Sequence, residues 1–151
     1  MAYAAAQDLI VRYGELEMLR LTTPEGEDLG SIDTAKLGAA IADASAEIDS
    51  YLRRRYATPV VPTTPELLRC CCALSRFELA HGAGREPTTQ MQRQRDSLLK
   101  WLERVRDGEV FLDGATALGG TESAAMVSDG TGVFAQFPTD TDASGTGAYF
   151  P

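Results

Sequence analysis

A small, mainly α-helical bundle with a long C-terminal extension is the fold class this sequence predicts, and three observations predict it. Apolar residues recur on a helical period through the segment 34–54. Capping signals punctuate the chain as far as Gly108. Beyond that glycine the composition changes: residues 113–151 hold seven glycines, five acidic residues and neither lysine nor arginine.

Ala4 to Tyr13 reads as a short helix with Leu9, Ile10 and Tyr13 on one face, and Gly14 suits a left-handed stop. A second short helix, Glu15 to Leu21, carries Leu16, Leu19 and Leu21. Thr22 to Gly30 is a loop by its proline and glycine content. Asp33 is placed to cap the clearest element, a helix from Thr34 to Arg54. Leu37, Ile41, Ala44, Ile48 and Leu52 fall on one stripe of that helix. Ala39, Ala40, Ala42 and Ala46 are expected to widen it with small residues, and Asp43 and Glu47 to lie opposite. Pro59, Pro62 and Pro65 frame an extended connection in which Val60 and Val61 anchor to the core. Thr64-Pro65 opens the next helix, because a hydroxyl caps it and proline is tolerated in its first turn. That helix runs to Ala80 and buries Leu67, Cys71, Leu74 and Phe77. The last long helix starts at Glu86-Pro87-Thr88-Thr89 and ends at Arg106, with Met91, Leu98, Leu102 and Val105 as its stripe and Trp101 at the edge. Asp107-Gly108 closes it.

This divides the chain into a helical domain, 1–112, and a glycine-rich acidic arm, 113–151. A segment so poor in large apolar residues cannot build its own core. Within it, Asp129-Gly130 separates Ala125–Ser128 from Thr131–Phe137, an arrangement that predicts a β-hairpin or an extended arm.

Bulk properties narrow the function. The chain has 151 residues, of which 44% are apolar, so one cored domain fits. Twenty-two acidic against fourteen basic side chains leave a net charge of −8, which repels phosphates and argues against a DNA-binding regulator. No apolar run approaches the roughly 18 residues of a membrane-spanning helix, and the opening Met1 to Asp8 lacks the basic region of a secretory leader. Cys70, Cys71 and Cys72 are contiguous, a spacing that suits neither a disulfide framework nor a zinc site. They are expected to pack as small apolar groups, in keeping with synthesis in a reducing cytoplasm.

The signatures of catalysis are missing. His81, the single histidine, sits beside Gly82 at a helix end, where solvent or terminal carbonyls are its expected company. The chain has no GxSxG, GxxxxGK[ST] or GxGxxG sequence, and Glu25, Glu27 and Asp28 do not follow the spacing of a calcium loop. No catalytic, cofactor-binding or metal-ligating residue is assigned. Two features suggest interaction instead. Arg53, Arg54 and Arg55 close the long helix, with Arg69 and Arg76 on the next, and make a basic patch for an acidic partner, phosphates, or simply the helix dipole. Residues 61–107 carry net +2 and residues 108–151 net −6, a division that suits head-to-tail association in which an arm crosses a neighbour. Val127, Val133, Phe134 and Phe137 are the apolar contacts such an arm would bring.

Several stretches also resemble a known family. The opening Tyr3-Ala4-Ala5-Ala6-Gln7-Asp8-Leu9-Ile10-Val11-Arg12-Tyr13-Gly14 is similar to the start of the Mu-like phage head–tail connector family. The likeness continues through Ile32-Asp33, Ala40 to Leu52, Arg55-Tyr56-Ala57-Thr58-Pro59, Pro65 to Leu79, Trp101-Leu102-Glu103 and Gly108-Glu109-Val110. It covers residues 3–112 and is most specific in the block Asp43–Pro59; the arm departs from the pattern. The resemblance implies an all-helical adaptor or head-completion protein of the virion neck, present in the host cytoplasm during assembly. Such proteins form a ring, commonly dodecameric, between the portal and the tail or stopper proteins. DNA passes through that ring without specific binding, and neither cofactor nor membrane is involved. The readings that compete with it are a tail-terminator or stopper ring and a small DNA-binding regulator using Arg53–Arg55.

Overall fold

The computed structural model describes residues 2–82 and 86–118. Within them lie five helices: α1 (Ala6–Tyr13), α2 (Glu15–Thr22), α3 (Thr34–Leu52), α4 (Pro65–Gly82) and α5 (Thr89–Asp107). The helix starts follow the capping residues. The Asp33 carboxylate accepts from the Ala35 and Lys36 N–H groups, both at 3.0 Å, and the Thr88 hydroxyl accepts from Met91 N–H at 3.3 Å. The Thr64 hydroxyl accepts from Leu67 N–H at 3.3 Å at the start of α4. Each satisfies a donor that the first turn would otherwise leave open. At the joint of α1 and α2, Gly14 takes a φ of +91°, which an L side chain resists, and its N–H reaches the Ile10 carbonyl at 2.8 Å.

Helices α3 and α4 pack along their length as the centre of the bundle, and α5 lies against both. Leu37, Ile48, Leu52, Leu67 and Leu102 are fully buried, each contributing about 1.5–3 kcal/mol of transfer free energy. All three cysteines are buried, as are their neighbours Ala73 and Leu74, so α4 is enclosed on most of its circumference at that level. Phe77 is only half-buried, because it sits at the margin where α4 faces Arg95 of α5.

Three expectations about α3 and its exit change. Ala39, Ala42 and Ala46 are exposed; with roughly 100° between successive residues they fall opposite the Leu37–Ile48 stripe, and only Ala40 joins the core. Glu47 flanks the buried side instead of opposing it and pairs with Arg95 at 3.1 Å. Val60 is buried but Val61 is 59% exposed, so a single valine anchors the connection. The Thr58–Pro59 and Val61–Pro62 peptide bonds of that connection are cis. In α2 the buried residues are Met18, Leu21 and Thr22, whereas Leu16 points to solvent.

After α5 the chain turns back on the bundle. Gly108 caps the helix at φ +85°, and residues 109–118 return toward the end of α3. Leu112 is buried, and its N–H donates to the Tyr56 hydroxyl at 3.2 Å. Ala57 N–H donates to the Thr116 carbonyl at 2.9 Å and Leu118 N–H to the Arg55 carbonyl at 2.7 Å. Together these make an isolated antiparallel bridge between Tyr56 and Ala117. Among the described residues there is no extended sheet. The hairpin expected at 125–137 lies outside the described residues.

Candidate interaction face

The three guanidinium groups that close α3 differ in their surroundings. Arg53 and Arg54 are exposed, and the Arg53 Nε donates weakly to the Asp49 carbonyl at 3.4 Å. Arg55 is half-buried and serves the fold. Its guanidinium lies 4.8 Å from the centre of the Phe111 ring and presses against Gly108 so closely that any Cβ there would collide with it. A cation over an aromatic face is attracted by the ring quadrupole, so Arg55 clips the return segment to the end of α3. Arg54, Arg55, Arg106 and Asp107 line a shallow cleft of about 300 Å³. Arg106 donates to the Asp107 carboxylate at 2.9 Å, and that hydrogen bond holds the Asp107 carboxyl below the ordinary carboxylate range. Two helix C-termini meet here, so the cations also oppose the negative ends of two helix dipoles.

The remaining members of the basic patch expected from sequence do not join it. Arg76 is held elsewhere by Glu17 at 2.6 Å and by the Tyr13 ring, whose centre lies 4.7 Å away. Arg69 is exposed on α4. Val127, Val133, Phe134 and Phe137 lie outside the described residues. Sequence reading missed Phe111 and Leu118, which are 68% and 54% exposed on the return segment beside Arg55. The signal available for them was the break in helical periodicity after Gly108, where apolar residues follow without a stripe to bury them. An open groove of about 410 Å³ adjoins this region, lined by Pro62, Pro65, Trp101, Phe111 and Leu112 among others.

The three cysteines and Tyr3 are buried in packing. Burial raises the Cys70 thiol to about 12 and the Cys72 thiol to about 11, and it also raises Cys71. Neutral thiols of this kind are poor nucleophiles and poor metal ligands. Burial likewise raises the Tyr3 phenol, which donates to Asp49 and accepts from the Val60 N–H at 3.0 Å. His81 is exposed and stacks on Phe77 with ring centres 6.4 Å apart. Among the described residues no three histidine, cysteine, aspartate or glutamate side chains converge as a metal site would require. Nor is any described helix long and apolar enough to cross a membrane.

Fold and site define a class: a small helical module whose three cysteines are buried in its core and whose described surface carries charged clefts and uncovered apolar side chains. Comparison with known proteins carries this further. The model of the family described as Bacteriophage Mu, Gp36 matches residues 3–128, and the chain belongs to that family. It is 38% identical over 109 residues to gene product J of Escherichia phage Mu, which spans 72% of this chain and 74% of that protein. It is 35% identical over 112 residues to the Mu-like prophage FluMu protein gp36 of Haemophilus influenzae, covering 73% and 74% of the two chains. The family match extends past residue 112, where the resemblance read from sequence ended, and leaves residues 129–151 outside it.

Proposed function

We propose that this chain is a structural protein of a tailed-phage virion that assembles into a closed ring, dodecameric in the simplest case, at the head–tail junction. There it joins the portal to the tail or stopper and lets DNA pass without gripping it. The observation that carries the reading is the match to a phage Mu protein and a Mu-like prophage protein over nearly three quarters of each chain. Physical chemistry supports it in two ways. A net charge of −8 repels the phosphates of a duplex, which suits a passage and not a clamp. Phe111 and Leu118, uncovered beside Arg55, offer contact surface, and contacts between different surfaces of neighbouring copies that close by rotation make rings.

The test is location. Gold-labelled antibody against the chain, applied to purified virions, is expected to mark the neck between head and tail. Label confined to the tail end of free tails would make it a tail terminator instead. Absence from virions, with salt-sensitive binding of duplex DNA by the purified protein, would favour the regulator reading.

A further inference from the structure

At one end of the bundle, cations and uncovered apolar side chains share a continuous face. Arg54, Arg55 and Arg106 line the same cleft, Arg55 lies over Phe111, and the Leu118 backbone bonds to the Arg55 carbonyl. Phe111 and Leu118 are both more than half exposed. Phenylalanine and arginine are both enriched at protein interfaces, and uncovered apolar side chains beside them add surface to bury.

Taking self-assembly as its premise, we propose that this face receives the acidic, apolar C-terminal segment, residues 119–151, of a second copy. Charge is the first reason. That segment contains Glu122, Asp129, Asp140 and Asp142 and no lysine or arginine, whereas the cleft presents three guanidinium groups against the single carboxylate of Asp107, to which Arg106 is bonded. The second is chemistry: Val133, Phe134 and Phe137 supply apolar surface of the kind that covers Phe111 and Leu118. Length is the third. The 33 residues after Leu118 could span up to about 110 Å extended, well beyond the roughly 13 Å radius of gyration of a domain this size. Reach to an adjacent subunit is therefore not limiting. A contact made by different surfaces on its two partners is head-to-tail, the geometry from which a ring is built. Residues 129–151 lie beyond the family match, so the docking is read from this chain's own residues.

Two variants of the full-length chain test this by sedimentation velocity. One carries Arg54→Glu with Phe111→Ser and loses the face; the other carries Phe134→Ser with Phe137→Ser and loses the segment. The unmodified protein is expected to self-associate, less so at high salt, and each variant alone to associate about tenfold more weakly or worse. Mixed in equal amounts, the variants are expected to form a one-to-one dimer and nothing larger, because only one intact face and one intact segment remain. Unchanged helical circular dichroism checks that each variant is folded. A milder variant, Arg53→Gln with Arg54→Gln, keeps the apolar contacts and should shift association in the same direction.

Variants that associate like the unmodified chain would overturn the proposal. So would a mixture that stays monomeric, which would mean that face and segment do not bind each other, or an unmodified chain that never self-associates, the outcome expected if the segment docks on its own domain. Antibody labelling of the virion neck would be unaffected if only the docking mode were wrong, so the two readings fail separately.

Discussion

Tyr3 and Asp49, 46 residues apart, are joined by a hydrogen bond from the phenol to the carboxylate, and the same phenol oxygen accepts from the Val60 N–H. The Tyr3 backbone N–H donates to the Ser45 hydroxyl at 3.2 Å. One residue thus ties the start of the chain to the middle of α3 and to the connection that follows it.

Replacing Tyr3 with phenylalanine keeps the ring but strips Val60 N–H of its acceptor and Asp49 of its donor. We expect about 1–3 kcal/mol of destabilisation, the cost of leaving buried polar groups unpaired, measured as a lower urea midpoint with unchanged slope. A change within error would mean that water or a shifted backbone satisfies both groups.

Alkaline pH should unfold the protein through its thiols. Burial holds Cys70 at about 12 and Cys72 at about 11 in the folded state, against 9.0 for the exposed group. The folded chain therefore keeps protons that the unfolded chain releases, and stability present below pH 9 falls as pH rises toward the folded values. A loss of about 1–3 kcal/mol is expected between pH 8.5 and 10, and replacing Cys70 and Cys72 with alanine should flatten the slope. A thiol reagent should react slowly with native protein and with all three cysteines once urea is added.

Gly108→Ala should cost about 1–2 kcal/mol, mainly because φ +85° strains an L residue, with a smaller part from the Arg55 guanidinium that the added methyl displaces. In an Arg55→Ala background the collision is gone and only the backbone part remains, so the two substitutions should couple by about 0.5 kcal/mol or more. Strict additivity would show that Arg55 does not occupy the space above Gly108.

Between α3 and α5 the Arg95–Glu47 pair is half-buried, with Arg95 also 5.0 Å from the Phe77 ring centre. The Arg95 Nε is buried and has no hydrogen-bond partner among the described residues. Glu47→Gln should cost about 1 kcal/mol by weakening the charge-assisted bond. Arg95→Met, which keeps apolar bulk over Phe77 and removes the unpaired nitrogen, should cost less than Arg95→Ala. The order of the two Arg95 variants in thermal unfolding checks this.

Helices were legible because their signals are local: Asp33, Thr64, Thr88 and Gly108 each act within a turn of where they stand. The Leu37–Leu52 stripe was legible because periodicity needs no knowledge of the partner surface. What stayed hidden depends on distant residues. Arg76 belongs to a glutamate 59 residues away and Arg95 to one 48 residues away, so neither was separable from a free cation by spacing. Arg55 looked like its neighbours Arg53 and Arg54 until the return segment placed Phe111 and Gly108 against it. The candidate face was half visible: Arg54 and Arg55 were named as a basic patch from sequence, but Arg106 was not, and the apolar part lies in a stretch with no period to follow.

The most direct measurement is electron microscopy of particles produced by phage lacking this gene, beside particles from the intact phage. We expect DNA-filled heads and separate tails from the deletion, and joined particles with a ring of density at the neck from the intact phage. Joined, infectious particles assembled without the protein would contradict a structural place at the head–tail junction.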